Sequence, residues 1–205
     1  MGAYSQFPVP RDGIQRVLEL GSRDCHDAIH LRDHFDADVV AWECNPPSIE
    51  RCHETLRING DRIRLVEAAA WDSEGHIDFH PVINGNYGAS SCLLSNHEYP
   101  YEKPYQQALV RVPAKRVDDD CQDNNWWPDL MCIDLQGVEG VALRGCPMVL
   151  GRASHLITEV QHKAMYTDAT SLDDITSLLE PYGFRLQRVL DVNEWFGDVW
   201  FAKTI

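Results

Sequence analysis

Apolar runs in this chain end repeatedly in residues able to bind a ligand or move a proton. The first such junction is Glu19-Leu20-Gly21-Ser22-Arg23-Asp24. Gly21 permits a sharp turn and a close backbone approach to a ligand. A pyrophosphate cradle needs the fuller G-x-G-x-x-G pattern, but Arg23 stands at its second glycine and the third is also missing. The turn therefore suits a cofactor without phosphate, with the Glu19 carboxylate available to an ammonium group. The alternative is a plain structural turn. Trp42-Glu43-Cys44-Asn45-Pro46 is the second junction, and Glu43 lies 22 residues beyond Gly21. An acid about 20 residues past a glycine turn is where a ribose diol is gripped. Its alternative role is to cap the helix that follows or to sit in solvent.

Two further junctions carry acid–base chemistry. Asp134 follows four apolar residues and precedes Gln136, Gly137 and Glu139. Glu159 ends another apolar run, with Gln161 and His162 just after it. Neighbouring strands lie about 4.8 Å apart, so adjacent strand ends bring Asp134 and Glu159 together. One carboxylate can then act as a general base. Alternatively Asp134 and Glu159, with a nearby His, form a candidate site for a divalent metal such as Mg. A purely structural reading has Asp134 and Glu139 holding backbone N–H groups of the turn.

The elements that must position these residues follow from periodicity. Apolar strands are expected at 16–20, 38–42, 62–66, 129–134 and 155–160. Helical spacing marks 25–35, with Cys25, Ala28, Ile29, Arg32 and Phe35 on one face and Asp24 as its cap. A second helix opens at Pro46-Pro47 and carries Ile49, Cys52 and Leu56. Residues 76–82 read as a strand, paired with 109–112. A short helix is expected at 140–144. The helix at 171–182 is well marked, with Ser171 as cap and Gly183 as stop. Residues 184–190 and 198–202 close the chain as an antiparallel pair. Trp126 and Trp127 read as packing residues at a strand entry. Strands alternating with helices imply a doubly wound α/β sandwich with a mostly parallel sheet. Ligands of such sheets bind beyond the carboxyl ends of the strands.

At 205 residues the chain suits one domain spanning 1–205. Within it, 83–108 is rich in Asn, Gly, Ser, Tyr and Pro and reads as a lid or acceptor-binding insertion carrying His97, Tyr99, Tyr101 and Tyr105. The net charge of −14 makes nucleic acid a poor partner. No apolar stretch has the length of a membrane span, and the first residues lack the blocks of a signal peptide. Seven scattered cysteines without a C-x-x-C pair fit reduced thiols in the cytoplasm rather than a disulfide framework or a structural zinc.

Taken in order, these segments resemble the FkbM-type S-adenosylmethionine-dependent methyltransferases. The resemblance is carried by VLELGSRDCHDAIHL, AWECNPPSIERCHETLRING, VEAAAWDSEGHIDFH and GASSCL. Its most specific block is DLMCIDLQGVEGVALRGCPMVLGRASHLITEVQ, and the whole spans about residues 16–187. It implies a Rossmann-like class I sandwich of seven strands, the last antiparallel, and O-methylation of a sugar or natural-product hydroxyl. By resemblance, Glu19, Gly21 and Ser22 hold the methionine end of S-adenosylmethionine. Glu43 holds the ribose, with Asn45 beside it, and Ala69 and Asp72 lie near the adenine. Ser90 and Ser91 close over the site. Asp134, Gln136 and Glu139 match an Asp-x-Glu-Gly-x-Glu pattern, with Gln136 replacing an acid, and Cys132 stands where Lys is frequent. The general base is Asp134 or His162, with Glu159 orienting the acceptor or a metal. Two other readings are a catalytically inactive S-adenosylmethionine-binding module of the same fold and a nicotinamide-dependent oxidoreductase. The missing glycines argue against the latter. Oligomeric state leaves no mark on the sequence.

Overall fold

The computed structural model describes residues 3–96 and 105–203. His97, Tyr99 and Tyr101 lie outside the described residues. The chain begins as its periodicity predicts: β1 (Arg16–Leu20), α1 (His26–Phe35), β2 (Asp38–Glu43), α2 (Pro46–Asn59) and β3 (Ile63–Glu67). Short strands follow: β4 (Ala69–Ala70), β5 (Gly75–Phe79), β6 (Val82–Asn84), β7 (Gln106–Gln107) and β8 (Val110–Lys115). Then come α3 (Val117–Asp123), β9 (Leu130–Ile133), α4 (Glu139–Arg144), α5 (Pro147–Arg152), β10 (His155–Gln161), α6 (Leu172–Leu179), β11 (Phe184–Asp191) and β12 (Phe196–Lys203).

Seven strands form the main sheet in the order β11-β12-β10-β9-β1-β2-β3. All neighbours are parallel except β12, which runs antiparallel to both β10 and β11. This is the Rossmann-like sandwich expected from the sequence. The strand side chains divide between two cores. Leu18 and Leu20 pack with α3, α4, α5 and α6 through Val117, Leu143, Leu150 and Ile175. Val17 packs on the other face against Ala28 and Phe35 of α1 and Cys52 of α2. Burial on both faces is why these strands read as nearly unbroken apolar runs.

Local chemistry decides several boundaries. Ser171 caps α6 by accepting from the Asp174 N–H, and Asp174 accepts in return from the Ser171 N–H. The helix stops at Leu179, and a 3₁₀ turn (Glu180–Tyr182) runs on to Gly183, whose φ of +87° ends it. Asp24 does not cap α1: Cys25 occupies that position in a left-handed conformation, while Asp24 accepts from the His26 N–H at 3.2 Å. The expected strand at 76–82 is two strands, β5 and β6, and β5 pairs antiparallel with β8. Helices α3 and α5 had no clear apolar period. They are fixed instead by Asp118, a buried carboxylate in the first turn of α3 that accepts from the Met148 and Val149 N–H groups of α5 at 2.7 and 2.9 Å.

Candidate functional site

Sheet register assembles the site. Leu20 pairs with Trp42 on one side and Ile133 on the other, and Ile133 pairs in turn with Thr158. Gly21, Glu43, Asp134 and Glu159 therefore emerge level at one edge of the sheet. From β1 the chain winds outward through β2 and β3, then returns to β9 on the opposite side. The gap between β1 and β9 is the switch point where open α/β sheets bind ligands. Gly21 sits in it with φ +91°, and a Cβ there would lie 1.8 Å from the Asp134 carbonyl oxygen. Only glycine fits the approach of the two strand ends.

A cleft enclosing about 860 Å³, part of it open to solvent, lies above this edge. Gly21, Ser22, Glu43, Asn45, Ala69, Ser90, Asp134 and Gln136 all line it. Among the described residues its charged lining, Asp27, Glu43 and Asp134 against the guanidinium of Arg23, is acidic on balance. Such a lining favours a cationic ligand group. Two buried polar atoms of lining residues have no hydrogen-bond partner among the described residues, Asn45 Oδ1 and Trp42 Nε1. Orphaned polar groups of this kind are paired by a ligand or by water. The residues present thus fit a donor that brings hydroxyl or amino groups, as an adenosyl group does.

Glu43 is bound into the backbone. Its Oε1 accepts from the Cys44 and Asn45 N–H groups, both at 2.8 Å, and its Oε2 accepts from the Arg23 N–H at 2.7 Å. A carboxylate has about four acceptor positions. One therefore remains on Oε2 for a ligand hydroxyl. Burial pushes the Glu43 carboxyl above its usual range, and the three N–H bonds oppose that shift. The N–H groups of Gly21 and Ser22 donate to the Trp42 carbonyl at 3.0 and 2.9 Å, which fixes the turn itself.

Other sequence candidates lie outside the cleft lining. Glu19 is buried beneath the turn, where it accepts from the Ser22 hydroxyl, and burial raises its carboxyl well above the usual range. Asp72 is exposed in the turn after β4 and accepts from Ser73 at 3.0 Å. Ser91 is buried and donates to the Gln136 carbonyl at 2.8 Å, tying the 83–108 segment to the β9–α4 turn. His162 is exposed beyond β10, with its N–H on the Trp195 carbonyl. Glu139 is buried and accepts from the Leu135 and Gly137 N–H groups at 3.0 and 3.1 Å, and burial pushes its carboxyl up to about 7. Cys132 is a buried core residue of β9.

Asp134 and Glu159 do come together, but through an amide. The Gln136 side chain donates to Asp134 Oδ1 at 2.6 Å and to Glu159 Oε1 at 3.1 Å. Its Oε1 accepts from the Tyr166 hydroxyl at 2.7 Å. Burial raises both carboxyls, Glu159 strongly, with Asp134, Glu139 and Asp198 adding repulsion. The expectation that Asp134 and Glu159 form a metal site finds no support in this arrangement. Among the described residues no group of three or more His, Cys, Asp or Glu could hold a metal ion. The Gln136 amide stands between the two carboxylates and donates to both. Sequence reasoning missed Tyr166, which no local spacing marks, and Trp42, hidden within an apolar strand.

No family model matches the chain. It is 30% identical over 177 residues to 2-O-methyltransferase NoeI of Sinorhizobium fredii, a span covering 81% of this chain and 71% of that protein. Among solved structures it is similar to a SAM dependent methyltransferase from Aquifex aeolicus, with a TM-score of 0.51 and 12% identity over 93% of this chain and 82% of that one. It is also similar to magnesium protoporphyrin IX methyltransferase ChlM from Synechocystis PCC 6803 with bound SAM, with a TM-score of 0.54 and 11% identity over 95% and 72%. At such identities the structural likeness bears on the fold alone. No helix among the described residues is long and apolar enough to cross a membrane.

Proposed function

This chain belongs to the methyltransferase family of 2-O-methyltransferase NoeI, and on that premise we propose an FkbM-type enzyme that methylates a hydroxyl of a sugar or natural-product acceptor. S-Adenosylmethionine, when bound, supplies a methyl group on a cationic sulfonium. The observation that carries the reading is Asp134, a half-buried carboxylate at the end of a central strand that lines the same cleft as Gly21, Glu43 and Asn45.

In this reading Gly21 and Ser22 hold the methionine end, and Glu19 acts through Ser22. Glu43 Oε2 takes a ribose hydroxyl, Asn45 Oδ1 gains its missing donor, and Ala69 faces the base. Asp134 removes the acceptor proton. The Gln136 amide donates to Oδ1 and so orients the carboxylate that receives the proton. Orienting acceptor and donor in line contributes roughly 7–11 kcal/mol, and general-base help a further 10²–10⁴-fold or so. In the same reading the chain is one domain spanning 1–205, and the described start of the 83–108 insertion, held to the Gln136 carbonyl by Ser91, serves acceptor binding. The net charge of −14 supports a small-molecule or carbohydrate acceptor over nucleic acid. Seven free thiols support a reducing compartment such as the cytoplasm.

The test is release of S-adenosylhomocysteine across a panel of hydroxylated sugars and natural products, with wild type and D134N side by side. Wild type turns over at least one acceptor, and D134N still binds the donor but loses about 10²–10⁴-fold in kcat. Full turnover by D134N removes Asp134 as the base. Donor binding without turnover of any acceptor favours the inactive binding module.

A further inference from the structure

The Gln136 side chain makes three hydrogen bonds, and its backbone is held as well. Its φ of +53° lies in the left-handed region, sparsely populated for a residue with a Cβ. Its carbonyl accepts from Ser91, and its side-chain oxygen accepts from Tyr166, a buried residue whose hydroxyl also contacts the Ala89 carbonyl at 2.9 Å. Backbone strain of this kind persists only where the surroundings determine it. Both ends of the amide are thereby oriented: the oxygen faces Tyr166, and the two N–H bonds face Asp134 and Glu159.

The charge balance explains why an amide stands here. Asp134 and Glu159 emerge level on adjacent strands, and Asp198 pairs across from Glu159 on β12, its own carboxyl pushed up to about 6 by burial. Acids this close need a cation, a shared proton or a neutral double donor between them. A carboxamide is the neutral double donor. An acid at position 136 would remove both donated bonds and add another carboxylate.

We propose that Gln136 is a positioning residue whose carboxamide takes the place of a bridging cation, giving one N–H to Asp134 and the other to Glu159 and thereby presenting Asp134 to the acceptor in one orientation. This rests on the methyl-transfer reading of the cleft. It goes further by assigning the coupling of the two acids to an amide that neither moves a proton nor contacts the reacting atoms.

The experiment reads the amide directly, in the full chain labelled with ¹⁵N, without an acceptor. The Gln136 side-chain NH₂ pair is assigned by its loss in Q136E. Both protons should resonate away from free-amide positions and exchange slowly. D134N should move one of them, because a neutral oxygen accepts more weakly than a carboxylate, and E159L should move the other. A second arm measures Mn²⁺ binding by electron paramagnetic resonance. Q136E, isosteric with wild type, should bind Mn²⁺ at least about tenfold more tightly, because three carboxylates then converge. A free-amide signal in wild type, an NH₂ pair indifferent to both D134N and E159L, or equal Mn²⁺ binding in Q136E and wild type would overturn the proposal. Calorimetry of S-adenosylmethionine on wild type runs in parallel. Failure to bind there sinks the methyl-transfer reading and leaves the amide result standing by itself.

Discussion

Glu139 offers a prediction in which pH isolates one buried group. The residue is 3% exposed, and its carboxyl holds the Leu135 and Gly137 N–H groups of the turn that carries Asp134 and Gln136. Burial pushes it up from an ordinary value of 4.5 to about 7. A raised carboxyl pKa means that the folded state holds the proton more tightly than the unfolded state. The stability it contributes is thus fully present below about 4.5 and is lost as pH rises through about 7. The shift corresponds to roughly 3 kcal/mol. About 1.4 kcal/mol of that is already lost at pH 5.5, and about 2 kcal/mol more goes by pH 8.5. E139Q keeps an oxygen for the two N–H groups and cannot ionise. Urea unfolding of both proteins from pH 5.5 to 8.5 should show E139Q gaining on wild type by about 2 kcal/mol across that window. A difference between the two that stays flat with pH would refute the burial argument. A wild type that gains on the variant as pH rises would reverse its sign.

Other substitutions separate structure from binding. G21A must fit a Cβ 1.8 Å from the Asp134 carbonyl at a left-handed φ, which alone costs about 1–2 kcal/mol. Thermal unfolding should show clear destabilisation, and calorimetry should show no donor binding. D118A leaves the first N–H groups of α5 without their acceptor and should lose about 1–3 kcal/mol in urea unfolding, with donor affinity unchanged. E43Q turns an amide N–H toward either the Arg23 N–H or the Cys44 and Asn45 N–H groups, all now bound to the carboxylate. Donor affinity measured by calorimetry should fall about tenfold or more. An E43Q protein that loses stability but keeps wild-type affinity would confine Glu43 to the backbone.

The parts legible in the sequence are those written locally. Strands β1, β2, β9 and β10 are largely apolar runs because both faces are buried, and Glu43, Asp134 and Glu159 at or near the ends of β2, β9 and β10 mark the carboxyl edge of the sheet. The Ser171–Asp174 capping box is equally local. What was hidden depends on residues far apart in the chain. Asp118 caps a helix 30 residues away, so neither α3 nor α5 shows its cause in its own segment. Glu43 was placed at the correct strand end, but its three backbone partners belong to two different turns. The surroundings of Asp134 and Glu159 were hidden for a related reason. The nearness of Asp134 and Glu159 follows from strand spacing, whereas the amide between them depends on the left-handed turn at Gln136 and on Tyr166 reaching in from beyond β10.

The central claim is that donor and base share the cleft between β1 and β9. A crystal structure of the chain with S-adenosylhomocysteine tests it most directly. The account predicts the ribose hydroxyls at Glu43 Oε2, a ligand donor on Asn45 Oδ1 and the thioether sulfur turned toward Asp134. An empty cleft at saturating ligand, or a ligand whose sulfur faces away from Asp134, would contradict it.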